Sequence, residues 1–144
     1  LVGSGDNLRS MSNTENLSYG LILAYLKEKA VGNAYWIADR KPYSQIEIIM
    51  TIRKVLLEHF SIESKNKNIR LPGFFSDLAY VADAILQKTG LYNSKIHVLS
   101  ELSKNIFCTI EKTEKDLGYN PKIDLSLGLK RNFQWMQSNN SLKF

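Results

Sequence analysis

Hydrophobic and polar positions recur along this chain with a helical period in most places and with a strand period in few. From Ser44 to Phe60, Ile49, Ile52, Leu56 and Phe60 return at three- and four-residue steps while Glu47, Thr51, Lys54 and Glu58 take the other side, the spacing of an amphipathic helix. Ser44 with Glu47 three residues on forms a capping box that sets its start. A helix is also predicted from Phe74 to Thr89, with Leu78, Val81, Ala82, Ile85 and Leu86 inward, Asp77, Asp83 and Gln87 outward, and Gly90 as its stop. Nearer the start, Ser12 and Glu15 make another capping box, opening a helix through Leu17, Leu21, Ala24 and Glu28 that halts at Gly32. Its middle is apolar nearly all round, which predicts burial.

The last third is less regular. Lys95 to Lys104 contains a short helix, and Glu111 to Leu117 forms another that closes on Gly118-Tyr119-Asn120-Pro121, a glycine stop with proline beyond it. Asp124 caps a final helix carrying Leu125, Leu129, Phe133 and Met136. Strand-like pieces are brief: Leu1-Val2 running into a turn at Gly3-Ser4-Gly5-Asp6-Asn7, then Ala34 to Ile37, Ile69 to Pro72 and Phe107 to Ile110, with a polar loop from Ser61 to Asn68. No repeat and no regular βαβ rhythm is present, so the expected fold is α+β, a small and mostly helical unit spanning residues 1–144 as a single domain.

With 144 residues, 44% of them apolar and 23% charged, the chain can bury one core, and a collagen-like or largely disordered chain is excluded. Nineteen Lys and Arg against fourteen Asp and Glu leave a net charge of +5, which permits an anionic ligand without requiring one. One Cys and two His cannot build a structural zinc site of ordinary spacing or an internal disulfide, and the composition suits a reducing cytoplasm. The longest apolar run, Leu21 to Leu26, is far below the roughly 18 residues of a membrane span, so no membrane partner is expected. A chain that opens on Leu1, with strand-like and turn-like residues at once, reads as a fragment of a longer one.

Motifs that carry chemistry are sparse. Gly3-Ser4-Gly5 is followed at the third glycine position by Leu8, with no βαβ unit behind it, so it reads as a turn and not a dinucleotide site. Tyr25 and Lys29 have the Tyr-x-x-x-Lys spacing of short-chain dehydrogenases, but only twenty-four residues precede them, too few for a cofactor half; the plain reading is a packed aromatic beside a solvated lysine. His59, His97 and Cys108 belong to no nucleophile, base or metal pattern. Lys65, Lys67 and Arg70 form a basic cluster without interleaved aromatics, which argues against nucleic acid. No catalytic, cofactor-binding or metal-ligating residue is assigned.

Three stretches taken together resemble the C-terminal, substrate-binding part of extended short-chain dehydrogenases, the NAD-dependent epimerase/dehydratase family. These are Gly3-Ser4-Gly5-Asp6 with Arg9 and Glu15-Asn16-Leu17; Gly32-Asn33-Ala34-Tyr35 through Tyr43-Ser44-Gln45-Ile46-Glu47; and Ile110-Glu111-Lys112 through Leu117-Gly118-Tyr119-Asn120-Pro121, then Leu127-Gly128-Leu129 and Trp135. The resemblance implies a substrate-binding lobe of an NAD(P)-dependent nucleotide-sugar epimerase or dehydratase, lacking the Rossmann half. It implies NAD or NADP bound by the N-terminal Rossmann lobe of the same protein, no cofactor on this fragment, and Arg9 reaching the nucleotide phosphate or base edge. The apolar surface facing the missing half would also allow a homo-oligomer. Thr109 stands where the family often has Asp, and Asn105 and Ile106 where many sugar-nucleotide members carry an arginine. That departure suits members acting on a sterol-like or other small hydroxy substrate. A stand-alone, non-catalytic binding module is the alternative from a different class.

Overall fold

The computed structural model describes residues 3–64, 70–139 and 141. The fold is α+β, small and mostly helical. Its elements in order are strand β1 (Leu8–Arg9), helix α1 (Thr14–Leu26), a 3-10 turn (Glu28–Ala30), strand β2 (Tyr43–Ser44), and helices α2 (Gln45–Phe60), α3 (Phe74–Lys88), α4 (Ser94–Glu101), α5 (Glu111–Leu117) and α6 (Leu125–Ser138). The predicted strand at Leu1-Val2, the second half of the polar loop with Lys65 and Lys67, and the start of the strand at Ile69 lie outside the described residues. Of that second strand, Leu71 remains, its carbonyl accepting from the Gly3 N–H at 2.9 Å.

The sheet is minimal. β1 and β2 pair antiparallel, Leu8 opposite Ser44 and Arg9 opposite Tyr43, and Arg9 also bridges in parallel to Ile106. Ile106 N donates to Leu8 O and Ser10 N to Ile106 O, so three stretches far apart in the chain meet at one point. The helices that local signals mark best form as predicted. Ser44 Oγ accepts from Glu47 N to start α2, Asp124 Oδ1 accepts from Leu127 N to start α6, and Gly118 at φ 70° ends α5 in the left-handed conformation that glycine adopts without strain. Helix α2 then packs on α6, where Phe60 meets Phe133 edge to face at 5.9 Å.

Four expectations are corrected. Helix α1 is capped by Asn13, whose Oδ1 accepts from Glu15 N at 2.8 Å, and not by Ser12. Its apolar middle is not buried: Leu21, Ile22, Tyr25 and Leu26 are all more than half exposed, and only Asn16 and Gly20 are buried. The absence of a Cβ at Gly20 is what admits Ile37, since an added Cβ would stand 2.6 Å from Ile37 Cδ1. Helix α3 faces the opposite way from its pattern, burying Ser76, Ala79 and Asp83 and exposing Leu78, Val81 and Ile85. The reason is its partner α4, which offers hydroxyls and carbonyls: Ser76 Oγ lies within 3.1 Å of Leu99 O, Ser100 O and Ser103 Oγ.

The fourth correction concerns Ala34 to Ile37, which is extended but pairs with no strand. One edge is pinned through alternate carbonyls: Lys112 Nζ donates to Ala34 O, Thr113 Oγ1 to Trp36 O, and Tyr119 OH to Ala38 O just beyond. The N–H groups of Ala34, Tyr35, Trp36 and Ile37 donate to no acceptor among the described residues. β-Propensity reports fitness for a pleated surface, and a ladder also needs a neighbour.

The core around this segment is small, with Ala38, Ile110 and Tyr119 at its centre and Leu23, Ile37 and Cys108 packed against it. A buried polar knot holds the surrounding elements together. Asn16 Oδ1 accepts from Lys122 N and Ile123 N, while its Nδ2 donates to Ile123 O at 2.7 Å and to Asp39 Oδ1 at 3.3 Å. Tyr43 OH donates to Asp39 Oδ2 at 3.0 Å. Replacing Asn16 by Ala leaves a buried carbonyl and two N–H groups without partners, so Asn16→Ala is expected to lower unfolding free energy by about 2–4 kcal/mol in urea titration. A loss under about 0.5 kcal/mol would show that the knot is dispensable.

Candidate functional site

A cleft of about 560 Å³ opens between the first turn of α1 and the length of α6, within the range of small-molecule sites. Buried Asp39 and exposed Asp124 line it together with Asn13, Leu129 and Trp135, the last more than half exposed. Gly128 lets α6 approach α1 this closely, because a Cβ there would stand 3.1 Å from Asn13 Nδ2. Across the mouth, Arg131 Nη1 bonds both oxygens of Glu15 at 2.6 Å. Both side chains are about half exposed, so this pair closes the rim more than it stabilises the fold.

The electrostatics around Asp39 suit binding and positioning. Burial raises the Asp39 carboxyl above its ordinary value, an effect opposed by the hydrogen bonds from Tyr43 and Asn16 and reinforced by nearby Asp124. Burial also pushes the phenols of Tyr43 and Tyr119 up to about 12, so both stay protonated and donate at neutral pH. Both Asp39 oxygens are already accepting, from Asn16 and from Tyr43. Beside the amides of Asn13 and Asn132, the Arg131 guanidinium and the Trp135 indole, the cleft lining carries the hydroxyls of Ser12 and Thr14 and the Asp124 carboxylate.

Arg9, the site residue that sequence resemblance selects, does not line this cleft. Its Nη2 donates to Glu101 O at 2.6 Å. Asn7 Nδ2 donates to Leu102 O at 2.9 Å, and Gln45 Nε2 reaches the same carbonyl. Together these side chains satisfy carbonyls at the C-terminal end of α4. The Gly3-Ser4-Gly5 turn does not fit a dinucleotide: strand β1 and not a helix follows it, Gly3 N is given to Leu71, and Gly5 O accepts from Ile46 N. Tyr25 is 89% exposed at the end of α1, and Lys29 belongs to the separate 3-10 turn, so their spacing is not a helical pair. Cys108 is half-buried, its backbone N–H donating to Ser10 Oγ, and His59 is exposed near the end of α2.

Sequence reasoning missed the pairing of Asp83 with His97. Asp83 is buried; its Oδ2 accepts from Gln87 Nε2 at 2.8 Å and lies 2.8 Å from His97 Nδ1. The steps Asp83 to Gln87 and His97 to Glu101 are one helical turn each, a signal the sequence contained. His97 is one-third exposed, with Glu101 3.6 Å from Nε2, the Tyr92 ring beside it and Lys104 opposing.

No protein-family model matches the chain. It is 45% identical over 139 residues to the uncharacterized protein y4nL of Sinorhizobium fredii (strain NBRC 101917 / NGR234), covering 96% of this chain and 39% of that protein. It is 27% identical over 145 residues to 3beta-hydroxysteroid-dehydrogenase/decarboxylase isoform 1 of Arabidopsis thaliana, covering 91% of this chain and 32% of that one. Among solved structures it superposes on UDP-glucuronic acid 4-epimerase from Bacillus cereus in complex with NAD, with a TM-score of 0.59, 20% identity, and 96% of this chain matched to 34% of the other. The Y149F mutant of that epimerase, in complex with UDP-4-deoxy-4-fluoro-glucuronic acid and NAD, gives a TM-score of 0.60 at 15% identity, again with 96% of this chain matched and 35% of the other. The chain thus spans under two fifths of the length of these relatives and has the fold of a portion of the epimerase.

The Asp83 contact yields a pH prediction. Its hydrogen bond, first of the causes, raises the His97 pKa above the ordinary 6.5. Because the folded-state pKa is the higher one, the stability this proton contributes is full below about pH 6.5 and is lost as pH rises through the raised value. Melting temperatures measured from about pH 6 to 9 should fall for the wild type toward those of His97→Gln. Parallel curves would show that the pair carries no proton-linked stability.

Proposed function

We propose that this chain is the substrate-binding lobe of an NAD(P)-dependent epimerase or dehydratase acting on a nucleotide sugar, with NAD or NADP held by a Rossmann lobe of the same protein. The observation that carries the reading is the open side of the chain. The N–H groups of Tyr35 and Ile37, on the edge away from the bound Ala34, Trp36 and Ala38 carbonyls, have no acceptor among the described residues, and α1, onto which Ile37 packs, exposes Leu21, Ile22, Tyr25 and Leu26. An extended segment in that state is a template for another strand, and an apolar helix face calls for cover. The fold likeness to part of an NAD-bound UDP-glucuronic acid 4-epimerase supports such a lobe as the cover.

In this reading the chain binds and orients substrate while hydride and proton transfer take place on the other lobe. The cofactor supplies the hydride chemistry. Arg9 suits a diphosphate because a planar guanidinium can bond two phosphate oxygens together. A second reading, a sterol-like or other small hydroxy substrate, is favoured by the Arg9 guanidinium being held on the Glu101 carbonyl and by the similarity to a 3beta-hydroxysteroid-dehydrogenase/decarboxylase.

Calorimetric titration of the protein as its gene encodes it, using UDP-glucuronic acid, separates the two. For a nucleotide-sugar enzyme, Arg9→Ala should weaken binding by about 1.5–3 kcal/mol and Arg9→Lys should recover part of it. Unchanged affinity in Arg9→Ala, or no binding by the wild type, would move the substrate to a hydroxy compound without a diphosphate.

A further inference from the structure

Helix α3 carries two opposed sides. Ser76, Ala79 and Asp83 are buried toward α4, while Phe74, Leu78, Val81 and Ile85 recur at steps of four, three and four and are exposed by 60%, 62%, 54% and 58%. At 3.6 residues per turn these four side chains fall within about 60° of one another, forming one stripe along the helix. Phe75 stacks on Phe74 at 4.2 Å between ring centroids, and exposed Leu91 and Tyr92 follow the helix end. The stripe is thus an apolar surface, which a monomeric protein rarely leaves open without a use.

We propose that the α3 stripe lies in the interface of an anionic lipid bilayer, with the helix axis in the membrane plane. Charge selects this occupant. Between Arg70 and Lys104 the exposed cations are Arg70, Lys88, Lys95 and Lys104, against exposed Asp77 and half-buried Glu101, since Asp83 is buried against His97. A second copy of a chain with net charge +5 is repelled, whereas a negatively charged lipid surface attracts the same cations. Phe74, Leu78, Val81 and Ile85 then supply the apolar insertion that charge alone lacks, the two-part combination that holds interfacial helices. No helix among the described residues is long and apolar enough to cross a membrane, and α3 at 15 residues contacts only one leaflet. The inference stands apart from the identity of the substrate.

Vesicle flotation tests it on the protein as its gene encodes it, with phosphatidylcholine vesicles containing about 30% phosphatidylglycerol beside vesicles of phosphatidylcholine alone. The wild type should float with the anionic vesicles and bind the neutral ones more weakly. Leu78→Gln with Ile85→Gln, both at exposed positions, should retain the wild-type melting curve and lose at least tenfold in binding, with Val81→Gln alone losing part. Absence of wild-type binding at low salt, or equal binding by the double variant, would overturn the proposal. So would a dimer in sedimentation without vesicles that the double variant abolishes, because the stripe would then belong to a second copy.

Discussion

The carboxamide of Asn16 is the contact on which the rest of the structure depends. It sits almost fully buried on the first turns of α1 and uses both ends of one side chain. Two backbone N–H groups, from Lys122 and Ile123, meet its oxygen, while its nitrogen serves the Ile123 carbonyl and the Asp39 carboxylate. A carboxamide accepts at its oxygen and donates two protons from its nitrogen at neutral pH. An Asp in its place would offer no donor to Ile123 O and would set a second carboxylate against Asp39. Through Asp39 the knot continues to Tyr43, whose backbone belongs to β2 and whose hydroxyl also accepts from Leu125 N at the start of α6. One polar network of α1, the segment before β2 and the entry to α6 thereby fixes the cleft walls.

Polar groups on the inside have a counterpart outside. Asn16, Asp39, Ser76, Asp83, Ser100 and Thr113 are buried, whereas the large apolar residues of α1 and α3 are exposed. In a low-dielectric interior such groups persist where their partners are present; Ser76 alone has three, whereas of the Asp83 oxygens Oδ2 is bonded and Oδ1 has no partner among the described residues. Much apolar area is consequently left for contacts beyond the chain. The two apolar faces differ in kind: α1 adjoins an extended segment with open N–H groups, as a sheet partner requires, whereas the α3 stripe has no such edge and neighbours exposed cations. Different occupants are proposed for them on that ground.

Local signals made α2, α5 and α6 legible, since a capping side chain or a left-handed glycine acts within three residues of its target. Helical period was clear in α3, yet period does not say which side turns inward, and in α1 an apolar middle nearly all round marked no side at all. The side of α3 that is buried was decided by Ser100, Ser103 and His97 of a segment not yet placed when the pattern is read. For Ala34 to Ile37 the extended backbone was legible and the missing partner was not. Glu15-Asn16-Leu17 was recognisable as a family-like motif, but the work of Asn16 depends on residues 107 positions away. Of the cleft, Trp135 stood out in sequence, whereas Asp39 and Asn13 join it only through the fold. Arg9 was selected by resemblance, and the carbonyl it caps on α4 became visible only in three dimensions.

The proposed docking of a second lobe on the open edge is tested most directly by amide hydrogen exchange at Tyr35 and Ile37. In the protein as its gene encodes it, the N–H groups of Tyr35 and Ile37, which face the edge opposite the bound Ala34, Trp36 and Ala38 carbonyls, should exchange at least about a hundredfold more slowly than in the 144-residue chain alone, because a neighbouring strand would accept from them. Equally fast exchange in both would contradict the account, leaving the segment as a surface loop and α1 without its cover.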